Sequence, residues 1–294
     1  MLVNVIRINN KIHDEGGRRT RGNFRQSISG KPLITVITIV LNGVSYLEST
    51  IQSVVSQDYG NIEYIIIDGG STDGTLDIIK RYDENIDYWI SEIDRGLSDA
   101  LNKGALLATG ESLLYMNCGD LFYNSTIITD SLSIANYPEN TIIYGNALAG
   151  NLVVNTDHNA ILNSQLLLNP ICHQAAIIPT LLQRKYLYDL RYRYSMDLDL
   201  WHRLILFENA DFKKIDIIVC HYMIGGITSK ACNHEDVVYE HWLVKQSFFN
   251  AKGKSVGLSQ LFLQLIYLRI KLIIRGMVGE DGYSLIKRLF GFIA

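Results

Sequence analysis

The sequence predicts an α/β fold in which helices cover both faces of a mainly parallel sheet. Short apolar runs alternate with amphipathic helical patterns between Pro32 and Asp120, which is typical of a βαβαβαβ series. The first run, Leu33–Leu41, is almost wholly apolar and rich in β-branched residues, as expected of a strand covered on both faces. Polar residues follow the ends of these runs, and parallel sheets bind their ligands beyond the carboxyl ends of the strands.

The elements of this series can be placed one by one. The predicted strands are Leu33–Leu41, Glu63–Asp68, Tyr88–Ser91 and Ser112–Met116, and the predicted helices are Tyr46–Ser56, Thr75–Tyr82 and Leu97–Ala108. In the first helix, Leu47, Ile51 and Val54 recur at helical spacing, and Ser45 is the predicted N-cap. A turn rich in Gly and Asp, residues 68–75, leads into the second helix.

The pattern is less regular in the second half of the chain. Strands are predicted at Thr141–Gly145 and Asn151–Thr156, and a helix at Asp197–Phe207. Residues 1–31 are rich in Arg, Asn, Gly and Ser without a hydrophobic period, which predicts a flexible N-terminal arm. We therefore expect the folded region to begin near Pro32.

Composition limits the classes of protein to which the chain can belong. With 48% hydrophobic and 19% charged residues it can bury a core, which excludes disorder of the whole chain. A formal net charge of −3 lacks the basic surplus of nucleic-acid binders, so no nucleic acid is expected as a partner. The 4 cysteines are too scattered for a disulfide framework, and Met1–Ile12 lacks the apolar core of a signal peptide. We expect a cytoplasmic protein.

Residues 231–294 are predicted to form a C-terminal helical extension. The apolar stretch Leu258–Met277 is interrupted by Arg269, Lys271 and Arg275, so it is too charged to span a bilayer. A basic amphipathic helix of this kind lies well on an anionic membrane face, which would make the protein peripheral to the inner face of the cell membrane. The alternative is a helix that packs on the domain or within a homo-oligomer, and the sequence leaves both open.

Three aspartates follow predicted strands of the series. Asp68 ends the second strand, Asp94 follows the third, and Asp120 follows the fourth after a turn of small residues. Like charges gathered at one sheet edge need a cation or hydrogen-bond donors to offset them. A sugar nucleotide would account for the set, with Mg²⁺ or Mn²⁺ held between a carboxylate and the diphosphate. The alternative is that Asp68 and Asp73 only shape a turn and cap a helix.

Four segments carry a resemblance to a known family: Pro32–Asn42, Ile65–Asp77, Ser91–Gly104 and Ala108–Asp120. They are similar to family 2 glycosyltransferases of bacterial polysaccharide synthesis, of the O-antigen and colanic-acid type. The resemblance implies a GT-A fold over residues 32–230, with a nucleotide-sugar-binding half at 32–122 and an acceptor-binding half at 123–230. It also implies inverting, metal-dependent sugar transfer from a nucleotide-sugar donor to a hydroxyl of an acceptor, expected to be a lipid-linked oligosaccharide.

The resemblance assigns residues to the donor side of the site. The nucleotide and donor contacts that it implies are Thr38, Asn42, Asp68, Asp94, Lys103 and Asn117. Among them, Asp68 matches the ligand of the base or ribose, and Asp94 matches the acid near the diphosphate. Asp120 matches the last residue of the metal-binding Asp-x-Asp, with Cys118 in place of the first Asp. It follows that Asp120 alone would coordinate Mn²⁺ or Mg²⁺ from the protein, with weak, donor-dependent binding.

The resemblance also implies a general base, which an inverting displacement needs behind the acceptor hydroxyl. The segment Ser195–Trp201 is similar to the family's Glu-Asp-x-x-Leu-Trp, and the match aligns Asp197 with the base. Because Met196 replaces the Glu, Asp199 remains an alternative. Both acids would otherwise serve only the dipole of the helix they begin.

Two further segments match the family in the acceptor half. His173 and Gln174 match a His-Gln pair and are expected to contact the acceptor or the diphosphate. Residues 225–228, Gly-Gly-Ile-Thr, resemble a loop that closes over the donor.

Other interpretations account for parts of the sequence. A nucleotide-sugar-binding or scaffold protein that kept the fold and lost turnover stays open, because Cys118 and Met196 depart from the family pattern. A dinucleotide oxidoreductase is excluded, since no Gly-x-Gly-x-x-Gly follows the first strand. A zinc site is disfavoured, because its candidate ligands fit no common zinc spacing. Those candidates are Cys220, His221, Cys232 and His234.

Overall fold

The computed structural model describes residues 14–138, 140–159, 171–223 and 234–251. Contacts divide the chain into two units, Met1–Ile224 and Gly225–Ala294. The described strands all belong to the first unit, and the described part of the second unit is one helix. The candidate site lies in the first unit.

A ten-stranded sheet forms the centre of the first unit. In chain order its strands are β1 (Asp14–Gly16), β2 (Ile34–Val40), β3 (Ile62–Asp68), β4 (Tyr88–Ser91), β5 (Ser112–Tyr115), β6 (Leu121–Phe122), β7 (Thr141–Ala149), β8 (Leu152–Val154), β9 (Ala176–Pro179) and β10 (Asp211–Tyr222). Their spatial order is β1-β4-β3-β2-β5-β9-β7-β10-β6, and β8 pairs with β7.

Strands β2 to β5 are parallel, and their carboxyl ends form what we call the carboxyl edge. From β2 the chain continues outward through β3 to β4 and then returns to place β5 on the other side of β2. The strand order therefore reverses between β2 and β5, and such a reversal opens a crevice at the carboxyl ends of the two strands. Ligands of open α/β sheets bind in this crevice.

Helices cover both faces of the sheet. In chain order the helices of the described residues are α1 (Leu47–Val55), α2 (Thr75–Arg81), α3 (Leu97–Leu107), α4 (Ile127–Ala135), α5 (Thr180–Lys185), α6 (Met196–Arg203) and α7 (His234–Ala251). One apolar cluster joins the sheet to α1, α2 and α4 through side chains such as Leu47, Ile79 and Ile128. The other joins it to α3 and α6 through side chains such as Leu101 and Trp201.

The predicted series is confirmed, because β2 to β5 and α1 to α3 each begin and end within one residue of the predicted bounds. Three details differ. Tyr46, not Ser45, is the N-cap of α1, because the Gly43 carbonyl accepts the N–H groups of Tyr46 and Leu47. β7 extends to Ala149, where it pairs with the end of β10. The helix predicted to reach Phe207 ends at Arg203 and continues as a π-helical turn, Leu204–Glu208.

Part of the predicted N-terminal arm is held on the sheet. β1 pairs antiparallel with β4 at the end of the sheet. The Gly17 N–H donates to Asp83 Oδ1 at 2.7 Å, and Arg19 Nη1 lies 3.3 Å from Glu63 Oε1. The three residues of β1 are too few and too polar to be recognised from a hydrophobic pattern.

The predicted amphipathic helix Leu258–Met277 and the predicted loop at 225–228 lie outside the described residues. Among the helices that the structure describes, none combines the length and the apolar content of a membrane span.

Candidate active site

The loop after β2 is joined to the turn after β3 at the carboxyl edge. The Asn42 N–H donates to Ser71 Oγ at 2.7 Å, and the same hydroxyl donates to Asp68 Oδ1 at 2.5 Å. Asn42 Oδ1 in turn accepts the Thr72 N–H at 2.9 Å. Asn42 has a φ of 51°, a left-handed conformation that Asn tolerates better than most residues. The backbone geometry explains why an amide side chain stands at this bend.

Asp68 organises this turn from inside the protein. It is fully buried, and its Oδ2 accepts the Ser71 N–H at 3.0 Å and the Ser91 hydroxyl at 2.6 Å. Asp73 does similar work nearby, since its Oδ1 accepts the Thr75 N–H at 3.1 Å and its Oδ2 the Val44 N–H at 3.1 Å. Both acids therefore shape the turn, which is the structural alternative raised by the sequence. A ligand at Asp68 would have to approach a carboxylate that already accepts three hydrogen bonds.

Asp94 lies against the same turn and is partly exposed. A Cβ placed on Gly69 would come within 2.6 Å of Asp94 Oδ2, so the absence of a side chain at Gly69 lets the carboxylate lie this close to the turn. Asp94 Oδ1 accepts the Gly96 N–H at 2.8 Å. Burial raises the pKa of Asp94, the nearby Asp99 and Asp68 raise it further, and Lys103 opposes them. A carboxyl in this setting is well suited to accept hydrogen bonds from a bound polar ligand.

Lys103 is placed to offset negative charge rather than to meet a ligand directly. Its Nζ lies 2.7 Å from Glu92 Oε1 and 3.8 Å from Asp99 Oδ2, and the side chain is buried. Glu92 was not singled out in the sequence, because an acid one residue after a strand resembles any solvated loop residue. In the structure it is the nearest anionic partner of Lys103.

Thr38 lies inside β2 and not at its end. It is fully buried, and its hydroxyl donates to the Met116 carbonyl at 2.8 Å and lies 3.0 Å from the Tyr64 hydroxyl. Both hydrogen-bonding directions of the hydroxyl are thus used to join neighbouring strands. The buried Thr38 hydroxyl is therefore not placed to contact a donor.

Asp120 follows β5 and is held by two neutral donors. Its Oδ2 accepts an N–H of the Gln174 amide at 2.9 Å, and its Oδ1 accepts the Met223 N–H at 3.0 Å. Burial raises the pKa of Asp120, although those two hydrogen bonds and the nearby His173 and His221 oppose the shift. No lysine or arginine within the described ranges forms an ion pair with it.

These features fit a weakly held divalent cation. Asp120 is a buried carboxylate that forms no ion pair with a described Lys or Arg, and each of its oxygens keeps acceptor capacity beyond one hydrogen bond. Hard cations such as Mg²⁺ prefer oxygen ligands and often take only one or two carboxylates, with phosphate oxygens completing the shell. No group of three or more His, Cys, Asp or Glu side chains suited to a metal occurs in the part of the chain that the structure describes. A cation here would therefore depend on the donor's phosphates.

The two acids at the start of α6 have different partners. Asp199 Oδ2 accepts from Arg203 Nε at 2.8 Å, one helical turn further on. Asp197 Oδ2 lies 3.4 Å from Nδ1 of His173, and Asp197 Oδ1 accepts the Leu198 N–H at 2.8 Å. Asp197 therefore belongs to the same cluster as the residues after β5, whereas Asp199 is committed to an ion pair within its helix.

His173 connects that cluster. Its Nε2 lies 3.0 Å from Asn117 Nδ2, and its Nδ1 faces Asp197. Burial lowers the pKa of His173, but the hydrogen bond and the negative charge of Asp197 outweigh it, so the pKa lies above the usual value. Gln174, the next residue, holds Asp120. Adjacent side chains of one short turn thus contact two different carboxylates.

The predicted site residues fall into two groups. The donor turn consists of Asn42, Asp68 and Asp94, with Lys103 beside it. The two-carboxylate cluster consists of Asn117, Asp120, His173, Gln174 and Asp197. The groups adjoin, because Cys118 Sγ lies 3.6 Å from the carbonyl oxygen of Gly43, the residue after Asn42. Of the predicted residues, Thr38 alone lies in the interior of a strand.

Some contributors carried no signal in the sequence. Ser71 and Ser91 hold Asp68, and Met223 supplies a backbone N–H to Asp120. Met223 is 103 residues from Asp120 in the chain, so only the pairing of β10 in the sheet brings it there. Of the candidate zinc ligands, Cys232 and the side chain of His234 lie outside what is described.

A family model described as glycosyl transferase family 2 matches residues 35–222. The chain belongs to glycosyltransferase family 2. The matched span includes both the donor turn and the two-carboxylate cluster. The strands and helices that carry these residues therefore lie within the part of the chain that matches the family.

Relatives and solved structures agree with this assignment. The glycosyltransferase is 28% identical over 215 residues to a PGL/p-HBAD biosynthesis glycosyltransferase of Mycobacterium bovis, covering 69% of this chain and 82% of the relative. Staphylococcus aureus TarS 1-349 in complex with UDP matches with a TM-score of 0.56 at 16% identity, covering 74% of this chain and 71% of that one. A Pyrobaculum calidifontis mannosyltransferase in complex with GDP-Man and Mn²⁺ matches with a TM-score of 0.57 at 15% identity, covering 92% and 89%. The expected GT-A fold of the glycosyltransferase is confirmed.

Proposed function

We propose that this glycosyltransferase transfers a sugar with inversion from a nucleotide-sugar donor to a hydroxyl of an acceptor. The observation that carries the proposal is that one short turn contacts both Asp120 and Asp197, through Gln174 and His173. An inverting displacement needs two opposed functions, stabilisation of the departing diphosphate and removal of the acceptor proton. Two carboxylates held by neighbouring side chains supply one group for each.

The donor turn is the proposed site of the nucleotide. The resemblance gave the base or ribose contact to Asp68, but that carboxylate is buried and accepts three hydrogen bonds. We therefore assign the hydrogen bonds from base N–H or ribose hydroxyl groups to the partly exposed Asp94 instead. Asn42 and Asp68 would hold the two loops in the conformation that receives the nucleotide. Lys103 would limit the accumulated negative charge of this acidic region. Asn117 belongs to the two-carboxylate cluster, where its amide contacts the His173 ring.

The diphosphate is proposed to lie at Asp120. A divalent cation, Mn²⁺ or Mg²⁺, would be held there by the Asp120 carboxylate and would stabilise the negative charge of the leaving nucleoside diphosphate. Gln174 and the Met223 N–H orient the carboxylate. The Mn²⁺ bound in the structurally similar mannosyltransferase supports cation use.

Asp197 is proposed as the general base. As the acceptor oxygen attacks the anomeric carbon, its proton passes to the Asp197 carboxylate, and the bond from that carbon to the diphosphate oxygen breaks. Attack opposite the leaving group in a single step inverts the configuration, and no covalent intermediate is needed. The ion pair of Asp199 with Arg203 makes Asp199 the weaker candidate.

The acceptor is proposed to be a lipid-linked oligosaccharide of cell-surface polysaccharide synthesis, of the O-antigen or colanic-acid type. Two observations support this. The mycobacterial relative is named for PGL/p-HBAD biosynthesis. Residues 251–294 contain seven Lys or Arg against two acids, a surplus that suits an anionic membrane face. We accordingly propose a cytoplasmic, peripheral location, with 231–294 as the membrane-associating region and 32–122 and 123–230 as the donor and acceptor halves.

The donor can be identified by thermal stabilisation. A ligand at 100 times its Kd stabilises the folded state by about 2.7 kcal/mol, which raises the Tm of a domain of this size by several degrees. We expect one class of nucleotide sugar to raise the Tm in the presence of Mn²⁺, and EDTA to reduce that shift. The measurement is a melting curve for each nucleotide sugar with Mn²⁺ and with EDTA. A panel of UDP-, GDP-, dTDP- and CMP-sugars that leaves the Tm unchanged would contradict the proposed function.

A further inference from the structure

Both ring nitrogens of His173 are engaged inside the protein. The residue is 7% exposed, with Asn117 Nδ2 at 3.0 Å from Nε2 and Asp197 Oδ2 at 3.4 Å from Nδ1. An imidazole nitrogen accepts or donates a single hydrogen bond, so neither nitrogen is left for a substrate. This differs from the sequence-based expectation that His173 contacts the acceptor or the diphosphate.

The partners of the ring fix the position of its proton. Asn117 donates an N–H to Nε2, so in the neutral ring the proton resides on Nδ1 and is donated to Asp197. Asn117 Oδ1 is buried without a hydrogen-bond partner among the described residues. If the Asn117 amide were instead rotated by about 180°, its Oδ1 would accept an N–H from Nε2 of His173. The ring would then carry protons on both nitrogens, and it would still donate Nδ1–H to Asp197. In both arrangements the Asp197 carboxylate receives the same donor.

We propose that His173 is a positioning residue for the base Asp197, and that Asn117 acts through the His173 ring to hold it in this role. The inference rests on the proposed function of Asp197. With Oδ1 held by the Leu198 N–H and Oδ2 by His173, the plane of the carboxylate is fixed from two sides. A displacement of about 1 Å at a reacting group can cost on the order of 10²-fold in rate.

The same turn also sets the distance between the two carboxylates. His173 contacts Asp197 and Gln174 contacts Asp120, and the two belong to the 3-10 turn His173–Ala175 between β8 and β9. Asn117 stands three residues before Asp120 on the loop after β5. Two side-chain contacts, His173 with Asn117 and Gln174 with Asp120, therefore join the turn that holds Asp197 to the loop after β5.

Two substitutions of His173 separate this role from direct substrate contact. His173→Asn keeps an amide N–H near the position of Nδ1, on the side of Asp197, whereas His173→Gln keeps an amide near the position of Nε2, on the side of Asn117. We expect His173→Gln to lower kcat for Mn²⁺-dependent release of nucleoside diphosphate by about 10²-fold. His173→Asn should retain at least ten times more of that turnover. The donor KM, and the Kd for UDP or GDP with Mn²⁺, should change less than threefold in both.

Retained binding of UDP or GDP with Mn²⁺ shows that each variant is folded. Equal turnover of the two variants, or greater turnover of His173→Gln, would overturn the proposal, as would a loss that falls on nucleotide binding. Asn117→Ala provides a second measurement. It should lower kcat less than His173→Gln does and add little when combined with it, because both act on one contact chain. If the losses of kcat in the two single variants multiplied in the double variant, Asn117 and His173 would act independently, which would contradict the proposal.

The outcome is distinguishable from failure of the proposed function. If the unmodified enzyme releases no nucleoside diphosphate from any nucleotide sugar, the proposed function fails and the His173 inference falls with it. If the unmodified enzyme turns over and His173→Gln matches it, only the positioning role is refuted.

Discussion

Replacing Asp197 by Asn is expected to abolish sugar transfer while leaving donor binding intact. A positioned general base contributes about 10²- to 10⁴-fold to such reactions, so we expect kcat to fall within that range. The substitution keeps the size of the side chain and its place at the start of α6, and it removes the negative charge and the ability to take a proton. The measurement is the transfer rate together with the Kd for the donor in the presence of Mn²⁺.

Asp199→Asn is the matched control, because Asp199 lies two residues away on the same helix. Its carboxylate accepts from Arg203, and burial raises its pKa. We expect this variant to keep turnover within about tenfold, because the hydrogen bond that it weakens joins Asp199 to Arg203 and not to the two-carboxylate cluster. If Asp199→Asn lost turnover while Asp197→Asn kept it, the assignment of the base would be wrong.

Replacing Asp120 by Asn is expected to remove the dependence of donor binding on Mn²⁺. Asp120 is the carboxylate of the candidate cation site, and Cys118 stands where the family's metal-binding triplet has its first Asp. We expect the Mn²⁺-dependent rise in Tm with UDP or GDP to vanish and transfer to fall by on the order of 10²-fold or more, since the leaving diphosphate loses its counter-charge. Asp73→Asn is the control, because that exposed acid shapes a turn at the same edge.

The Mn²⁺-dependent binding of the donor at Asp120 should also depend on pH. A cation binds the ionised carboxylate, and burial raises the pKa of Asp120 above that of an ordinary aspartate. Mn²⁺-dependent binding should therefore weaken on acidification at a higher pH than an ordinary aspartate would give, and strengthen as the pH rises. Because the folded-state pKa lies above the unfolded one, ionisation of Asp120 lowers the free energy of unfolding as the pH rises through it. Asp120→Asn should remove this cost in the apo protein, and an unchanged Mn²⁺ effect in that variant would contradict the site.

Between residues 32 and 122 most of the fold was readable from local pattern, whereas beyond residue 122 only β7, β8 and α6 were. Strands β2 to β5 are short apolar runs with polar ends, so their bounds follow from adjacent residues. β9 and β10 are set by distant partners: β9 is antiparallel to β5 and β7, and β10 is parallel to β7 with shifts of register. Asp211–Tyr222 mixes charged and apolar residues without a regular period, which hides a twelve-residue strand.

The location of the site was likewise easier to predict than the partners of its residues. The carboxyl-edge rule placed Asp68 at the end of β3 and Asp94 and Asp120 after the ends of β4 and β5, because it depends only on where strands end. The rule does not reveal that the Asp68 carboxylate already accepts three hydrogen bonds, or that Thr38 is buried. Both properties depend on packing between strands. The contact of Asn117 with His173 spans 56 residues and could not be read from the chain. The pairing of Asp199 with Arg203 is the exception, because i,i+4 pairs are visible in the sequence.

The most direct test of the account is the position of a bound cation. A crystal of the enzyme soaked with Mn²⁺ and either UDP or GDP can be measured at the manganese absorption edge, which locates the ion without assumptions about its ligands. We predict one manganese peak within bonding distance of an Asp120 carboxylate oxygen, and the nucleoside at the donor turn beside Asp94. A manganese ion bound elsewhere, or a nucleotide that leaves Asp120 and Asp94 untouched, would contradict the proposed mechanism.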